Sequence, residues 1–125
     1  MVARATKPPI STEKRLELVL EALSSKKAQD IVSIDLRELG YVLCDYFVIA
    51  TAESDRQGQA LIDGILEALK KAEVLPSAHH VEGYEVGRWI LLDLGDIVVH
   101  VLLPEVRSYY KLEELWGDAK IQTYD

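Results

Sequence analysis

Residues 88–103, RWILLDLGDIVVHVLL, contain the pattern that decides the fold. Two apolar runs rich in β-branched and aromatic residues flank Gly95-Asp96, a dipeptide suited to a tight two-residue turn because glycine readily adopts a positive φ. The pattern therefore predicts a β-hairpin in which Trp89 lies opposite Leu102 on the neighbouring strand.

Side chains of the predicted hairpin alternate between two faces, because successive residues of a strand point to opposite sides of the sheet. One face is wholly apolar, and we expect it to lie on the core: Ile90, Leu92, Leu94, Ile97, Val99, Val101 and Leu103. The other face is mixed and consists of Trp89, Leu91, Asp93, Val98, His100 and Leu102. The mixed face needs a covering element or a partner, so it is where we look for function.

The composition is typical of one globular domain, since 125 residues bury roughly two-thirds of their unfolded surface. The single cysteine, Cys44, cannot form an internal disulfide and is typical of a reducing compartment. The N-terminal MVARATKPPI lacks the apolar segment of a secretory signal, and no apolar run reaches the ~20 residues of a membrane span. We therefore expect a cytoplasmic protein that does not enter a membrane.

The net charge of −7 bears on the choice of partner. Proteins that bind nucleic-acid phosphate usually carry a basic patch, whereas the basic residues here are scattered among acidic ones. Direct nucleic-acid binding is therefore disfavoured as the main activity. A basic protein partner fits the charge better, although the same charge would also serve solubility alone.

Apolar spacing along the chain predicts the element order α, β, β, α, β, β, β, α. Ser11-Thr12 caps the first helix, and Ser54 with Gln57 forms a capping box for the second, which ends before Pro76. Pro104 suits the first turn of a short C-terminal helix. Strands are predicted at residues 31–36, 45–51, 79–84 and in the two arms of the hairpin.

This order predicts an α/β (α+β) fold, with a mixed sheet of about five strands flanked by helices. Residues 1–10 are expected to form a flexible N-terminal tail and residues 11–119 a single domain. Residues 120–125 are expected to form a polar C-terminal tail.

Sequence motifs for catalysis are missing, because neither GxGxxG nor GxxxxGK[ST] occurs. The turn at residues 51–55 could offer helix amides to an anion, but the capping role of Ser54 already accounts for it. Asp93 and Asp96 are candidate paired carboxylates, yet one ends a strand and the other occupies its turn. The sequence therefore predicts a protein that is not an enzyme and needs no cofactor.

The histidines and the cysteine give little support for a metal site. His79 and His80 are adjacent and point to opposite sides of an extended chain, and neither HxH nor CxxC is present. His100 could contact Asp93 diagonally, but a partly buried histidine with one hydrogen bond is favoured. Cys44 is best interpreted as a small buried residue.

Aromatic residues and arginines are concentrated in the C-terminal third of the chain. Trp, Tyr and Arg dominate the energetics of protein interfaces, so this concentration favours a binding module. Trp89 shares its face with polar groups and is the better interface candidate, whereas Trp116 is assigned to core packing. The set comprises Tyr84, Arg88, Trp89, Arg107, Tyr109, Tyr110 and Trp116.

Two segments closely resemble the ribosomal silencing factor family, also called Iojap-like. They are DYFVIATAESDRQ at residues 45–57 and the stretch from HVEGYEV to LWGDA at residues 80–119. The second contains GRWxLLDxGDxVVH followed by RxYYxLExLWGDA, a long and ordered pattern. The resemblance extends over roughly residues 16–119.

The resemblance implies a nucleotidyltransferase-like fold without its catalytic carboxylates. It also implies binding to ribosomal protein uL-fourteen of the large subunit, at the face where the small subunit docks. Occupying that face would block subunit joining and lower translation when nutrients are scarce. Leu102-Leu103 departs from the family pattern, where many members have an aromatic or Met-containing pair, which affects packing more than function.

The resemblance also implies which residues contact the partner. Trp89 and Leu94 match the contact positions of the hairpin, while Asp93 and Asp96 share the motif and could instead maintain the turn. Tyr84 is included as a candidate contact. Because Trp89 and Leu94 have opposite parity, either the hairpin has a bulge or they meet the partner at its edge and tip.

Two alternatives to silencing stay open at the level of sequence. A large-subunit assembly factor would use the same partner at a different time. A nucleotide-binding or nucleotidyltransferase-like enzyme would use residues 51–55 together with Asp93. An exposed apolar hairpin face is also compatible with a homodimer.

Overall fold

A computed structural model describes residues 11–39, 44–116 and 119–124 of the chain, without the side chain of Trp116. Within these residues the structure contains three α-helices, a 3₁₀ helix and six strands. In chain order they are α1 (Thr12–Ser25), β1 (Gln29–Asp35), β2 (Tyr46–Thr51), α2 (Asp55–Lys71), β3 (His80–Glu82), β4 (Trp89–Asp93), β5 (Ile97–Leu102), α3 (Pro104–Tyr110), the 3₁₀ helix (Leu112–Trp116) and β6 (Lys120–Tyr124). The predicted tail at residues 1–10 lies outside the described residues.

The six strands form one mixed sheet in the order β3-β4-β5-β2-β1-β6. Only β2 and β5 run parallel, and the other neighbours are antiparallel. β4 and β5 form the predicted hairpin, with Trp89 opposite Leu102 and Asp93 opposite Val98. The predicted mixed sheet flanked by helices is confirmed, as is the edge strand within residues 79–84.

The main core lies between one face of the sheet and helices α1 and α2. Both helices begin as predicted, because Ser11 accepts a hydrogen bond from the amide of Lys14 and Ser54 accepts one from Gln57. The apolar hairpin face packs here, with the side chains of Ile90, Leu92, Leu94, Ile97, Val99 and Val101 all buried. Burial of one apolar face thus fixes the hairpin register.

A second, smaller core lies on the opposite face of the sheet. Val106 of α3 packs there against Val32, Ile34, Ile49 and Leu102. Leu103 was expected on the apolar, core-facing side of the hairpin. It packs against this second cluster instead, because the strand ends at Leu102 and α3 begins directly afterwards. Since α3 has only seven residues, it covers this face in part.

The C-terminal segment differs from its predicted state. Residues 120–124 were expected to belong to a polar tail, but they form β6, which pairs with β1 from Lys120 opposite Asp35 to Tyr124 opposite Ile31. The sheet therefore has six strands rather than about five. Its polar residues obscured the strand, because most of β6 is exposed to solvent at the edge of the sheet.

Candidate functional site

A row of aromatic rings crosses the face of the sheet that α3 leaves partly open. Phe47 meets His100 edge-on at 5.2 Å between ring centroids, and Trp89 lies 6.0 Å from His100. Tyr110 of α3 lies 4.9 Å from Trp89, and Tyr109 lies 4.9 Å from Tyr110. We call these five residues the aromatic row.

From His100 towards α3, exposure increases along the aromatic row. His100 is 7% exposed and Trp89 is half-buried, whereas Tyr110 is 51% and Tyr109 79% exposed. Leu115, at 65%, adds an exposed apolar side chain in the 3₁₀ helix that follows. The row thus has an anchored end in the sheet and an accessible end on α3, an arrangement suited to binding an apolar partner surface.

His100 is the buried member of the aromatic row and is hydrogen-bonded to Trp89. Its Nδ1 accepts a hydrogen bond of 3.1 Å from Nε1 of Trp89, so the predicted single hydrogen bond of a buried histidine is confirmed. Burial lowers the pKa of His100 to about 4, which keeps the imidazole neutral and able to accept this bond near neutral pH. This hydrogen bond orients the indole of Trp89.

Leu94 does not lie on the face that carries Trp89. It is 3% exposed and packs in the helix-covered core. The β4–β5 register runs without a shift, so the bulge that would have brought the two residues together is not present in this hairpin. The side chain of Leu94 is therefore placed to stabilise the hairpin from its inner side.

Asp93 and Asp96 each organise the turn between β4 and β5. The carboxylate of Asp93 accepts a hydrogen bond of 2.8 Å from the amide of Gly95, which has a φ of +92°. Asp96 forms an ion pair with Arg15 of α1 and accepts a hydrogen bond of 2.8 Å from the hydroxyl of Thr12. Through Asp96 the hairpin turn is tied to the first helix.

Tyr84 lies on the side of the sheet that α2 covers. Its hydroxyl donates to the carboxylate of Asp63 at 2.8 Å, and this hydrogen bond raises the pKa of Tyr84. Its backbone carbonyl accepts from the side chain of Gln59 at 2.8 Å. The structure therefore separates Tyr84 from the aromatic row and ties it to α2.

The contacts of Arg107 were not predicted from the sequence. Arg107 was grouped with candidate interface residues, but its side chain is only 12% exposed and forms an ion pair with Glu113 at 2.7 Å. The sequence also did not signal Phe47, which the parallel pairing of β2 with β5 places beside His100. Only strand order brings residues so distant along the chain into one row.

The residues of the alternative nucleotide site are not brought together. Thr51 lies beside Leu102 at one end of β5, while Asp93 lies beside Val98. Four residues along a strand correspond to roughly 13 Å at ~3.3 Å per residue. Among the described residues there is also no group of three or more His, Cys, Asp or Glu side chains arranged to hold a metal ion.

Burial raises the pKa of Cys44, as expected for an unreactive thiol.

The fold and the aromatic row define a small α+β domain with one helix-covered face and one face that presents aromatic side chains. A sequence model described as "Ribosomal silencing factor during starvation" matches residues 9–125. The chain belongs to this ribosomal silencing factor family, as the resemblance of its hairpin motif implied. The family is described by its action on ribosomes rather than by an enzyme activity.

Individual relatives agree with this assignment. The chain is 43% identical over 104 residues to the ribosomal silencing factor RsfS of Chromobacterium violaceum, covering 83% of each protein. It is 31% identical over 103 residues to a Mus musculus protein named "Mitochondrial assembly of ribosomal large subunit protein 1", covering 81% of this chain and 44% of that protein. A crystal structure of a Chromobacterium violaceum protein matches with a TM-score of 0.80 and 39% identity, over 93% of this chain and 94% of that one.

None of the helices in the described parts of the chain is both long and apolar enough to cross a membrane.

Proposed function

We propose that this protein is a cytoplasmic translational repressor that binds the large ribosomal subunit through ribosomal protein uL-fourteen. The bound protein would occupy the surface on which the small subunit docks and would block subunit joining by its volume. The observation that carries this proposal is the aromatic row centred on Trp89, which is anchored at one end and exposed at the other. Family membership supplies the ribosome as the site of action.

The physical properties of the aromatic row support protein recognition. Aromatic side chains bury a large area on binding and lose little conformational entropy, especially when neighbouring rings already fix their rotamers. Trp89 is held by His100 and Tyr110 before any partner arrives. The net charge of −7 favours approach to a basic ribosomal protein, so we expect affinity to fall moderately as salt rises.

The proposal divides the candidate residues into two groups. Trp89 would contact the partner directly, and Asp93 would contribute at the rim because it is partly exposed on the same face. Leu94, Asp96 and Tyr84 would act indirectly, since burial or hydrogen bonding commits them to the hairpin and to α2. Steric blocking needs no catalysis and no cofactor, so the proposed function is not enzymatic.

Binding to isolated large subunits tests the proposal. Purified wild type is compared with Trp89→Ala, and with Tyr84→Ala as an aromatic truncation on the opposite side of the sheet. Circular dichroism first establishes that each variant is folded. We expect Trp89→Ala to lose at least tenfold in affinity, about 1.4 kcal/mol, and Tyr84→Ala to stay within about threefold of wild type. Wild type that fails to bind would refute the proposal, and equal losses in both variants would refute the assigned face.

A role in large-subunit assembly is the second candidate, and the name of the mouse relative favours it. An assembly factor would use the same surface but act before the subunit is complete. Sucrose gradients of a deletion strain separate the two functions, because immature large subunits would accumulate only if assembly needs the protein. Excess joined ribosomes under starvation, with mature large subunits, would support silencing instead.

A further inference from the structure

We propose that Arg107 is a positioning residue for the aromatic row: by fastening α3 to β1, β2 and the 3₁₀ helix, it holds Tyr110 against Trp89. The consequence for ribosome binding rests on the function proposed above. The consequence for the position of Tyr110 is independent of that function.

The guanidinium of Arg107 connects four elements. Its Nε and Nη2 lie 2.9 and 2.7 Å from Oε2 of Glu113 in the 3₁₀ helix. Its Nη1 donates to the carbonyl of Asp30 at 2.6 Å and to the hydroxyl of Thr51 at 2.9 Å, on β1 and β2. A planar guanidinium offers several donors in fixed directions, which the single ammonium group of lysine cannot reproduce.

The acceptor on β1 is produced by an irregularity in that strand. The β1–β2 register shifts between Gln29 and Val32, and Asp30 has a φ of +50°. Among the described residues, Asp30 is absent from the registered pairs of β1 with β2. Its carbonyl accepts the hydrogen bond from Arg107, so the contact that α3 uses coincides with the strained backbone conformation of a non-glycine residue.

The side chains of Arg107 and Tyr110 connect α3 to two different strands that flank β5, namely β2 and β4. Leu102 of β5 is registered with Thr51 on one side and with Trp89 on the other. Arg107 reaches Thr51, and Tyr110 reaches Trp89. Residues three apart lie on the same side of a helix, so fixing Arg107 at one end also sets where Tyr110 lies at the other.

The chain offers a matched control in Arg15. Its side chain is 15% exposed, compared with 12% for Arg107, and it too combines a carboxylate, that of Asp96, with a backbone carbonyl, that of Val74. Arg15 lies on α1, on the other side of the sheet from the aromatic row. Removing either guanidinium should destabilise the fold, but only the loss of Arg107 should release Tyr110.

The experiment records the indole N–H signal of Trp89 in ¹H–¹⁵N spectra of full-length protein, assigned with Trp89→Phe. Tyr110→Ala defines the signal when the neighbouring ring is gone. We expect Arg107→Met to move the signal at least halfway to that position, Arg107→Lys to move it less, and Arg15→Met to leave it near the wild-type value. If Arg107→Met does not fold, Arg107→Lys is compared with Arg15→Lys in the same way.

An Arg107 variant that moves the signal no more than its Arg15 counterpart would overturn the inference, whatever its stability.

Affinity for isolated large subunits is measured on the same folded proteins. We expect a loss of at least fivefold for Arg107→Met and a smaller loss for Arg15→Met, which affects the hairpin through Asp96 in its turn. If wild type fails to bind, the proposed function fails, while the indole signal still decides whether Arg107 positions Tyr110.

Discussion

The indole N–H of Trp89 donates its hydrogen bond to Nδ1 of His100 at 3.1 Å, on a face of the sheet where His100 itself is 7% exposed. The acceptor nitrogen must be unprotonated for this bond to exist. A neutral, buried histidine therefore orients the residue at the centre of the aromatic row. Protonation of His100 would therefore affect both the folding stability and the orientation of Trp89 on the exposed face.

Folding stability should fall in mild acid because of His100. Burial lowers its pKa from 6.5 to about 4, so between these values the unfolded chain binds a proton that the folded chain does not. The contribution is fully present above pH 6.5 and is lost as the pH falls towards 4, by up to about 3 kcal/mol at 1.36 kcal/mol per pKa unit. Urea unfolding at a series of pH values measures this loss.

His100→Gln provides the control, because glutamine can accept the indole hydrogen bond and does not titrate. The difference in unfolding free energy between wild type and His100→Gln should change across pH 4–6.5 and be constant above it. A difference that is constant over the whole range would show that His100 is not the group responsible.

Leu94→Ala should damage stability rather than recognition. The side chain is buried in the helix-covered core, and truncation of such a leucine costs about 2–5 kcal/mol through lost transfer energy and the cavity left behind. At a temperature where the variant is folded, its affinity for large subunits should stay within twofold of wild type. Thermal unfolding measures the loss of stability, and binding to large subunits measures the affinity. A tenfold loss of affinity in folded protein would contradict the placement of Leu94 in the core.

Gly83→Ala should be more destabilising than Gly95→Ala. Both glycines have positive φ, at +79° and +92°, so alanine is strained at either position. A Cβ at Gly83 would lie 2.3 Å from the carbonyl oxygen of Trp89, whereas none of the described atoms lies within 4 Å of a Cβ at Gly95. We expect an additional cost of about 1–3 kcal/mol at Gly83, measured by urea unfolding. Equal losses of unfolding free energy in the two variants would show that the backbone around Gly83 shifts to relieve the contact with Trp89.

Removing residues 120–125 should lower the unfolding free energy by a few kcal/mol and expose an edge of β1. β6 pairs with β1 over five residues, and the hydroxyl of Tyr124 lies 2.8 Å from that of Ser33. Tyr124→Phe removes only that hydrogen bond and should cost about 1 kcal/mol. Differential scanning calorimetry distinguishes the two, and a truncated chain as stable as Tyr124→Phe would show that β6 adds nothing beyond this contact.

Local sequence was sufficient wherever the structure depends on neighbouring residues. Gly95-Asp96 between two apolar runs predicted the hairpin and its register, and Ser54 with Gln57 predicted the start of α2. It was insufficient at β6, whose exposed, polar residues resemble a tail until β1 provides a pairing partner. Strand pairing at a sheet edge is a long-range interaction that hydrophobic alternation does not reveal.

By itself, the sequence determined the hairpin, its two faces, the capped helices and the family, because turn geometry, alternation and an ordered motif are all local properties. Only the tertiary structure decided which elements cover each face. Helices α1 and α2 cover the apolar face, where Leu94 is buried as alternation predicted, and the parallel pairing of β2 with β5 brought Phe47 to His100 on the other face. At the irregularity in β1, the carbonyl of Asp30 accepts from Arg107, 77 residues away along the chain, a contact that exists only once the sheet has assembled.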